Sequence, residues 1–313
     1  MAFSEIVGSV SHHLREEMLS SRVVHAYLLT GPAGTGKRTL AAICARALCC
    51  QSQGERPCDV CPSCRQFLSG NHPDFIQVKP EKSIGVDDVR AVIERLAVKP
   101  YEADRHVVVI EQADKMTAQA QNALLKTLET PPGGDVFFLI TTQMTALLPT
   151  IVSRCRVVRF PYLEIHEAEA ALRARGLSEE RARLLARLSQ GSVGQALAMD
   201  ASEGWWQLRE KVLASLAALR EKQDVATAAL PLAEKREQAG DILDILELCA
   251  RDLMVIQDAG GGVIQTDIED KLERLPFTGS RTLLGVMEAR RMLASNVAWQ
   301  AVLEMLFFKM AGG

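Results

Sequence analysis

The segment Gly31-Pro32-Ala33-Gly34-Thr35-Gly36-Lys37 narrows the folds open to this chain more than any other stretch. It follows an apolar run at 26–30, expected to be a strand, and precedes a helical pattern at 39–48. A G-x-x-x-x-G-K loop in that setting suits phosphate. Its glycines let backbone N–H groups converge on the oxygens, the helix N-terminus adds favourable partial charge, and the lysine reaches the outer phosphates. Gly31, Gly34, Thr35, Gly36, Lys37, Arg38 and Thr39 are therefore the candidate nucleotide-binding residues. A glycine turn that merely joins strand to helix is the plain alternative.

Further apolar runs at 74–78, 106–110, 136–141 and 157–160 show little alternation, as expected of strands buried on both faces. Helical patterns such as Val86, Val89, Ile93 and Leu96 lie between them. Strand–helix repetition predicts a parallel sheet with right-handed crossovers. After Phe160-Pro161 the strand signals stop. Residues 162–200 read as short helices, with Ser178 as an N-cap and Gly191 as a break, and longer helical patterns follow, interrupted by Gly260-Gly261-Gly262. The expected fold class is α/β plus all-α. An α/β domain covers 1–161, a small helical domain 162–201 and a larger helical domain 202–313.

Two departures touch the phosphate chemistry. The residue after Lys37 should carry the hydroxyl that holds Mg²⁺, and here it is Arg38. Thr39 lies one position later, about 100° further round the helix. The run at 106–110 ends in Glu111-Gln112, where ATPases of this architecture place Asp-Glu. Gln112 is neutral and cannot act as a general base. The pair can also be read as simply ending a strand. Phosphate binding is expected to survive, Mg²⁺ binding is doubtful, and hydrolysis is expected to be poor.

The chain has 313 residues and a formal net charge of −3, so two or three domains are expected. The near-neutral balance argues against binding nucleic acid alone through a basic surface. No apolar stretch approaches the ~18 residues of a membrane span. Met1-Ala2-Phe3-Ser4-Glu5 lacks a basic-then-apolar leader. A cytoplasmic setting is expected, in which the eight cysteines stay reduced. Cys49, Cys58, Cys61 and Cys64, spaced C-x8-C-x2-C-x2-C, fit tetrahedral thiolate ligation of Zn²⁺, with Cys50 as the alternative first ligand. Four cysteines leave no open position, so the zinc is expected to be structural. Cys44 and Cys249 sit in apolar helical patterns and are expected in the core.

Ser153-Arg154-Cys155 would by itself pass as a surface charge near a helix end. Other segments make it specific. They are His25-Ala26-Tyr27-Leu28, the four-cysteine insertion, His72-Pro73-Asp74, Asn122-Ala123-Leu124-Leu125-Lys126-Thr127-Leu128-Glu129 and Pro131-Pro132. In this order the chain resembles the bacterial AAA+ clamp-loader family, and within it the delta-prime type of DNA polymerase III. The resemblance spans 25–155 and is weaker beyond 200, where only the closing stretch 296–310 is similar.

The resemblance implies a ring-like pentamer with gamma/tau motor subunits and a delta subunit, which opens the sliding clamp and places it on primed DNA. It implies ATP or ADP at subunit interfaces and Arg154 projecting into a neighbour's site as an arginine finger in trans. Thr142, or Thr141, matches the polar sensor. The motor pattern has Ser/Thr after the loop lysine, Asp-Glu after the strand and an arginine in the Gly-Ser-x-Arg element. Here those positions read Arg38, Glu111-Gln112 and Gly194. The resemblance therefore implies a subunit that completes a neighbour's site without running its own, within a DNA-directed DNA polymerase holoenzyme. Residues 202–313 would form the collar, with Trp205 and Trp206 as packing anchors at its start. The location implied is bacterial cytoplasm, at the nucleoid, with no membrane partner. An autonomous ATPase of the gamma/tau motor type is the alternative. A zinc-dependent nucleic-acid binder is disfavoured by the charge balance.

Overall fold

The computed structural model describes residues 9–19, 23–258 and 262–311. The leader reading of residues 1–5 and most of the 260–262 loop lie outside the described residues. Residues up to Glu167 together with Ser192–Gly194 form one compact unit. Ala168–Gly191 and the residues from Gln195 onward form a second.

The first unit is built on five parallel strands: β1 (Ala26–Thr30), β2 (Phe75–Val78), β3 (Val107–Ile110), β4 (Val136–Thr141) and β5 (Arg156–Arg159), in the order β2-β3-β4-β1-β5. The three central strands, β1, β3 and β4, are buried along their whole length, which explains their unbroken apolar sequences. The edge strands β2 and β5 are only partly buried, and their expected bounds shift by one residue. Asp74 falls just outside β2, although its carbonyl still accepts from Val107 N. Helices α1 (Ser9–Leu19), α2 (Lys37–Cys49), α3 (Pro62–Leu68), α4 (Val86–Leu96), α5 (Ala118–Glu129) and α6 (Pro149–Val152) complete the unit.

Two apolar clusters form on this sheet. Leu40, Ile43 and Cys44 of α2 pack with Tyr27, Leu29 and Phe138. Val89 and Val92 of α4 and Leu124 and Leu128 of α5 pack with Leu28 and Val108. Alternate residues of the same strands thus feed opposite clusters, as the period of two requires. The turn out of β1 depends on Gly31, whose φ is 143°. A Cβ there would lie 2.1 Å from the carbonyl oxygen of Phe160, so no side chain fits.

The second unit is helical, with α8 (Glu179–Leu188), α10 (Glu203–Ala218), α11 (Val225–Ala233), α12 (Ala239–Gln257), α13 (Glu269–Glu273), α14 (Gly279–Ala294) and α15 (Trp299–Ala311). Two further helices, α7 (Ile165–Arg173) and α9 (Val193–Ala201), begin in the first unit and continue into it. Ser178 accepts from Arg181 N and caps α8. Ser202 accepts from Trp205 N and caps α10. Trp206 ties neighbouring helices together: its Nε1 donates to the Met199 carbonyl, and the Arg181 guanidinium stacks 3.9 Å from its ring. Arg209 is buried and forms a bidentate pair with Asp267 at 2.7 and 2.9 Å. Fully buried Asp252 accepts from the backbone of Ile264 and Gln265. Cys249 is fully enclosed in this core, and Cys44 is fully enclosed in that of the first unit. The arginines of 173–187 are largely matched internally, Arg181 with Asp200, Arg183 with Glu179, and Arg187 with the Val263 carbonyl.

Candidate phosphate site and cysteine cluster

Parallel register brings the chemistry of three strands to one edge. Thr30 at the end of β1 pairs with Thr141 at the end of β4, and Ile110 at the end of β3 pairs with Leu139. The loop after β1, Glu111 after β3 and Thr141-Thr142 after β4 therefore share the C-terminal side of the sheet, where ligands of α/β proteins bind. Lys37, the first residue of α2, is only 5% exposed. Its Nζ donates to the Gly31 carbonyl at 2.7 Å, to the Pro32 carbonyl and to Thr35 Oγ1 at 3.3 Å. Burial pulls its pKa down to about 8, against an opposing pull from Asp114. Ser192 and Gly194 contact the same loop. Ser192 Oγ donates to the Ala33 carbonyl at 3.0 Å and Gly194 N to the Gly34 carbonyl at 2.9 Å. A Cβ on Gly194 would lie 2.7 Å from that carbonyl oxygen, so the backbone itself occupies the space a longer residue would need.

The acidic motif is closed on itself. Glu111 is buried and accepts from Gln77 Nε2 at 2.6 Å, with Arg38 Nη1 at 3.6 Å and Lys79 Nζ at 4.0 Å. Gln112 is exposed and holds a left-handed backbone, φ 50°. Thr39 is half-buried, one position further round α2. A magnesium ion does not fit this donor set. The position that should offer a hydroxyl offers a guanidinium, and the carboxylate that should ligate is already matched by donors and cations. At the third strand end, buried Thr141 donates to Asp114 Oδ1 at 2.6 Å, while Thr142 is exposed and touches the same oxygen through its backbone N at 3.3 Å. Of the two threonines, only Thr141 reaches Asp114 through its side chain among the described residues.

The cysteine insertion follows α2. The thiols of Cys50, Cys58, Cys61 and Cys64 lie within 4.8 Å of one another and are placed to hold a metal ion. The Cys50–Cys61 Sγ separation is 4.0 Å, against about 3.8 Å for two thiolates in tetrahedral zinc. Backbone N–H groups of Ser52, Cys61 and Cys64 point at Cys50, Cys58 and Cys61 at 3.4–3.5 Å, the outer-shell support a thiolate site needs. At Cys58, backbone N–H groups of Val60 and Cys61 draw the thiol down to about 6. The first member is Cys50, which corrects the expectation of Cys49. Cys49 is the last residue of α2, and its side chain packs into the apolar cluster behind the helix. Cys50 leaves the helix with extended backbone, φ −68° and ψ 129°, and turns toward the other three. Arg46 of α2 pairs with Asp59 at 3.1 Å and pins the insertion to the helix.

Arg154 follows α6. Its guanidinium donates to the Glu129 carboxylate, through Nε at 2.8 Å and through Nη2, and to the Thr150 carbonyl at 2.9 Å. Glu129 ends α5, so both residues of the pair come from the segments that carried the sequence resemblance.

The protein family described as DNA polymerase III, delta subunit, matches residues 7–164. A DNA polymerase III subunit delta' of Bacillus subtilis is 30% identical over 322 aligned positions, which cover 99% of this chain and 98% of that protein. The chain belongs to the DNA polymerase III delta-prime family of AAA+ clamp-loader proteins. The delta' subunit of Escherichia coli is 38% identical over 62% of this chain and 59% of its own length. The tau subunit of Bacillus subtilis is 34% identical over 52% of this chain but only 29% of tau. A gamma subunit-related protein of Thermotoga maritima shares the fold, with a TM-score of 0.50 at 17% identity, covering 96% of this chain and 99% of that one.

Two sets of residues in this delta-prime family chain gain a role that sequence reading did not give them. Gln121 is buried in α5. Its amide donates to the Met116 and Ala146 carbonyls at 3.2 Å and accepts from Leu148 N at 2.7 Å, fixing the turn that leads into α6 and Arg154. His72 and Asp74 brace the cysteine insertion and the β3 approach. Asp74 N donates to His72 Nδ1, so His72 Nε2–H donates to Ser63 Oγ, which donates to the Cys49 carbonyl at 2.6 Å. Burial lowers the His72 pKa and keeps that ring neutral. A Ser-His-Asp set appears here in space, but its hydroxyl proton is committed to a carbonyl, so it is a brace and not a nucleophile.

Proposed function

We propose that this chain serves as a delta-prime type subunit of a hetero-oligomeric clamp loader. In this reading it hydrolyses little or no ATP itself and supplies Arg154 in trans to the ATP site of a neighbouring gamma/tau motor subunit. The observation that carries the reading is the closed acidic motif: Glu111 is held by Gln77 and Arg38, and Gln112 offers no base. With no group to activate water and no place for magnesium, the cis site lacks what hydrolysis needs. Arg154 retains the planar, permanently charged group that stabilises charge on a transferred phosphoryl group. Its present partner is a carboxylate in a half-exposed pair, worth roughly 0–1 kcal/mol, so exchanging Glu129 for phosphate costs little.

The further partners in this reading are a delta subunit, the sliding clamp and, through the complex, primed DNA. Cys50, Cys58, Cys61 and Cys64 would hold one structural Zn²⁺, which cross-links an insertion that has few apolar residues of its own. Membership of the delta-prime family supports the assembly. Among the described residues no helix is long and apolar enough to cross a membrane. The test is steady-state ATP hydrolysis by the purified chain. Turnover at background level is expected, also for Gln112→Glu, since Arg38 and Gly194 remain. Robust turnover by the isolated chain, lost in Lys37→Ala, would instead make it an autonomous motor.

A further inference from the structure

We propose that the phosphate loop of this chain binds a nucleoside di- or triphosphate without a divalent cation, with the Arg38 guanidinium, tethered by Glu111, standing where the metal would. The inference rests on the reading that the loop takes a nucleotide and goes beyond it by assigning the metal's role to a side chain.

Position 38 and position 111 are the two protein anchors a phosphate-loop magnesium requires, a hydroxyl and a free carboxylate. Here they form an ion pair with each other at 3.6 Å. The second Glu111 oxygen is occupied by the Gln77 amide at 2.6 Å, and Lys79 stands 4.0 Å away. Three cations, Lys37, Arg38 and Lys79, thus face two carboxylates, Glu111 and Asp114, an excess of one positive charge. A divalent ion would enter against that excess, while a phosphate anion would be drawn by it.

The exposures of the pair suit the role. The Arg38 side chain is 71% exposed and the Glu111 side chain 9%. The carboxylate is a fixed inner anchor, and the guanidinium is an outer group free to turn one edge toward phosphate while keeping its pairing. Arginine offers two parallel N–H donors that match two phosphate oxygens, and it stays charged at any working pH. Lys37, now donating to the Gly31 and Pro32 carbonyls, would exchange them for phosphate oxygens.

The test is a titration of the full chain with ATP and with ADP by isothermal calorimetry, once with magnesium and once with EDTA. The expected result is the same affinity in both. Arg38→Ala should weaken binding about tenfold or more in both, the size of a lost charge-assisted phosphate contact. The double variant Arg38→Thr with Glu111→Asp should bind more tightly with magnesium than with EDTA. Thermal melts confirm that the variants fold. Binding that EDTA abolishes in the natural chain, or Arg38→Ala without effect, would overturn the inference and leave the nucleotide reading standing. Absence of binding by either nucleotide would overturn both, while the role of Arg154 in a neighbour's site would be untouched.

Discussion

Cys49 and Cys50 are adjacent, yet their thiols serve different ends. Cys49 is enclosed among apolar side chains, and burial pushes its pKa up to about 12, so it stays a thiol. Cys50 faces Cys58, Cys61 and Cys64. Metal analysis of purified variants should therefore separate them. Cys50→Ser should lose most of the zinc, with natural protein near one ion per chain. Cys49→Ser should keep its zinc and lose stability, by about 1–3 kcal/mol for a buried hydroxyl without a ready partner. Loss of metal in Cys49→Ser with retention in Cys50→Ser would reverse the assignment. At this scale the sequence carried the cluster but not its first member. The choice turns on which residue ends a helix, and a one-residue change in that end rotates a side chain by about 100°. The Arg38–Glu111 pair was equally hidden: each residue stood out as a departure, but only the approach of the first turn of α2 to the end of β3 makes them partners.

The elements around the site are held by a small number of buried polar anchors. Asp74, ahead of β2, accepts from Tyr101, Glu102 and Ala103 backbone N at 2.6–2.7 Å and so fixes the approach to β3. Burial alone would raise its pKa, but the three N–H bonds outweigh burial and hold the carboxyl below its usual range. A group depressed in the folded state stabilises above its unfolded value, near 4, and that contribution is lost as pH falls through the folded value. Asp74→Asn should therefore cost about 2–4 kcal/mol at neutral pH, and the gap from the natural chain should narrow below pH ~4. Urea melts at both pH values measure this, and a gap independent of pH would contradict it. The central strands were legible as apolar runs because both of their faces are buried. The order β2-β3-β4-β1-β5 was not, because register between distant segments leaves no local trace. Gln121 passed for an ordinary polar helix residue, since its three bonds all go to backbone far along the chain or a turn away.

For the molecule as a whole, the asymmetry between its two sets of nucleotide chemistry is the central feature. The cis set is closed: Lys37 on its own loop, Glu111 on Gln77 and Arg38, Gly194 against Gly34. The trans candidate, Arg154, is joined among the described residues to a weak surface carboxylate and a carbonyl. Its motif was visible in the sequence, but the proposed role depends on a neighbour that one chain cannot contain. The deciding measurement is ATP hydrolysis by a reconstituted clamp loader carrying either the natural chain or Arg154→Ala, with assembly checked by gel filtration. Intact assembly and loss of turnover at the one site Arg154 is proposed to enter are expected, since an arginine finger is worth about 10³-fold or more. Intact assembly with an unchanged rate would contradict it.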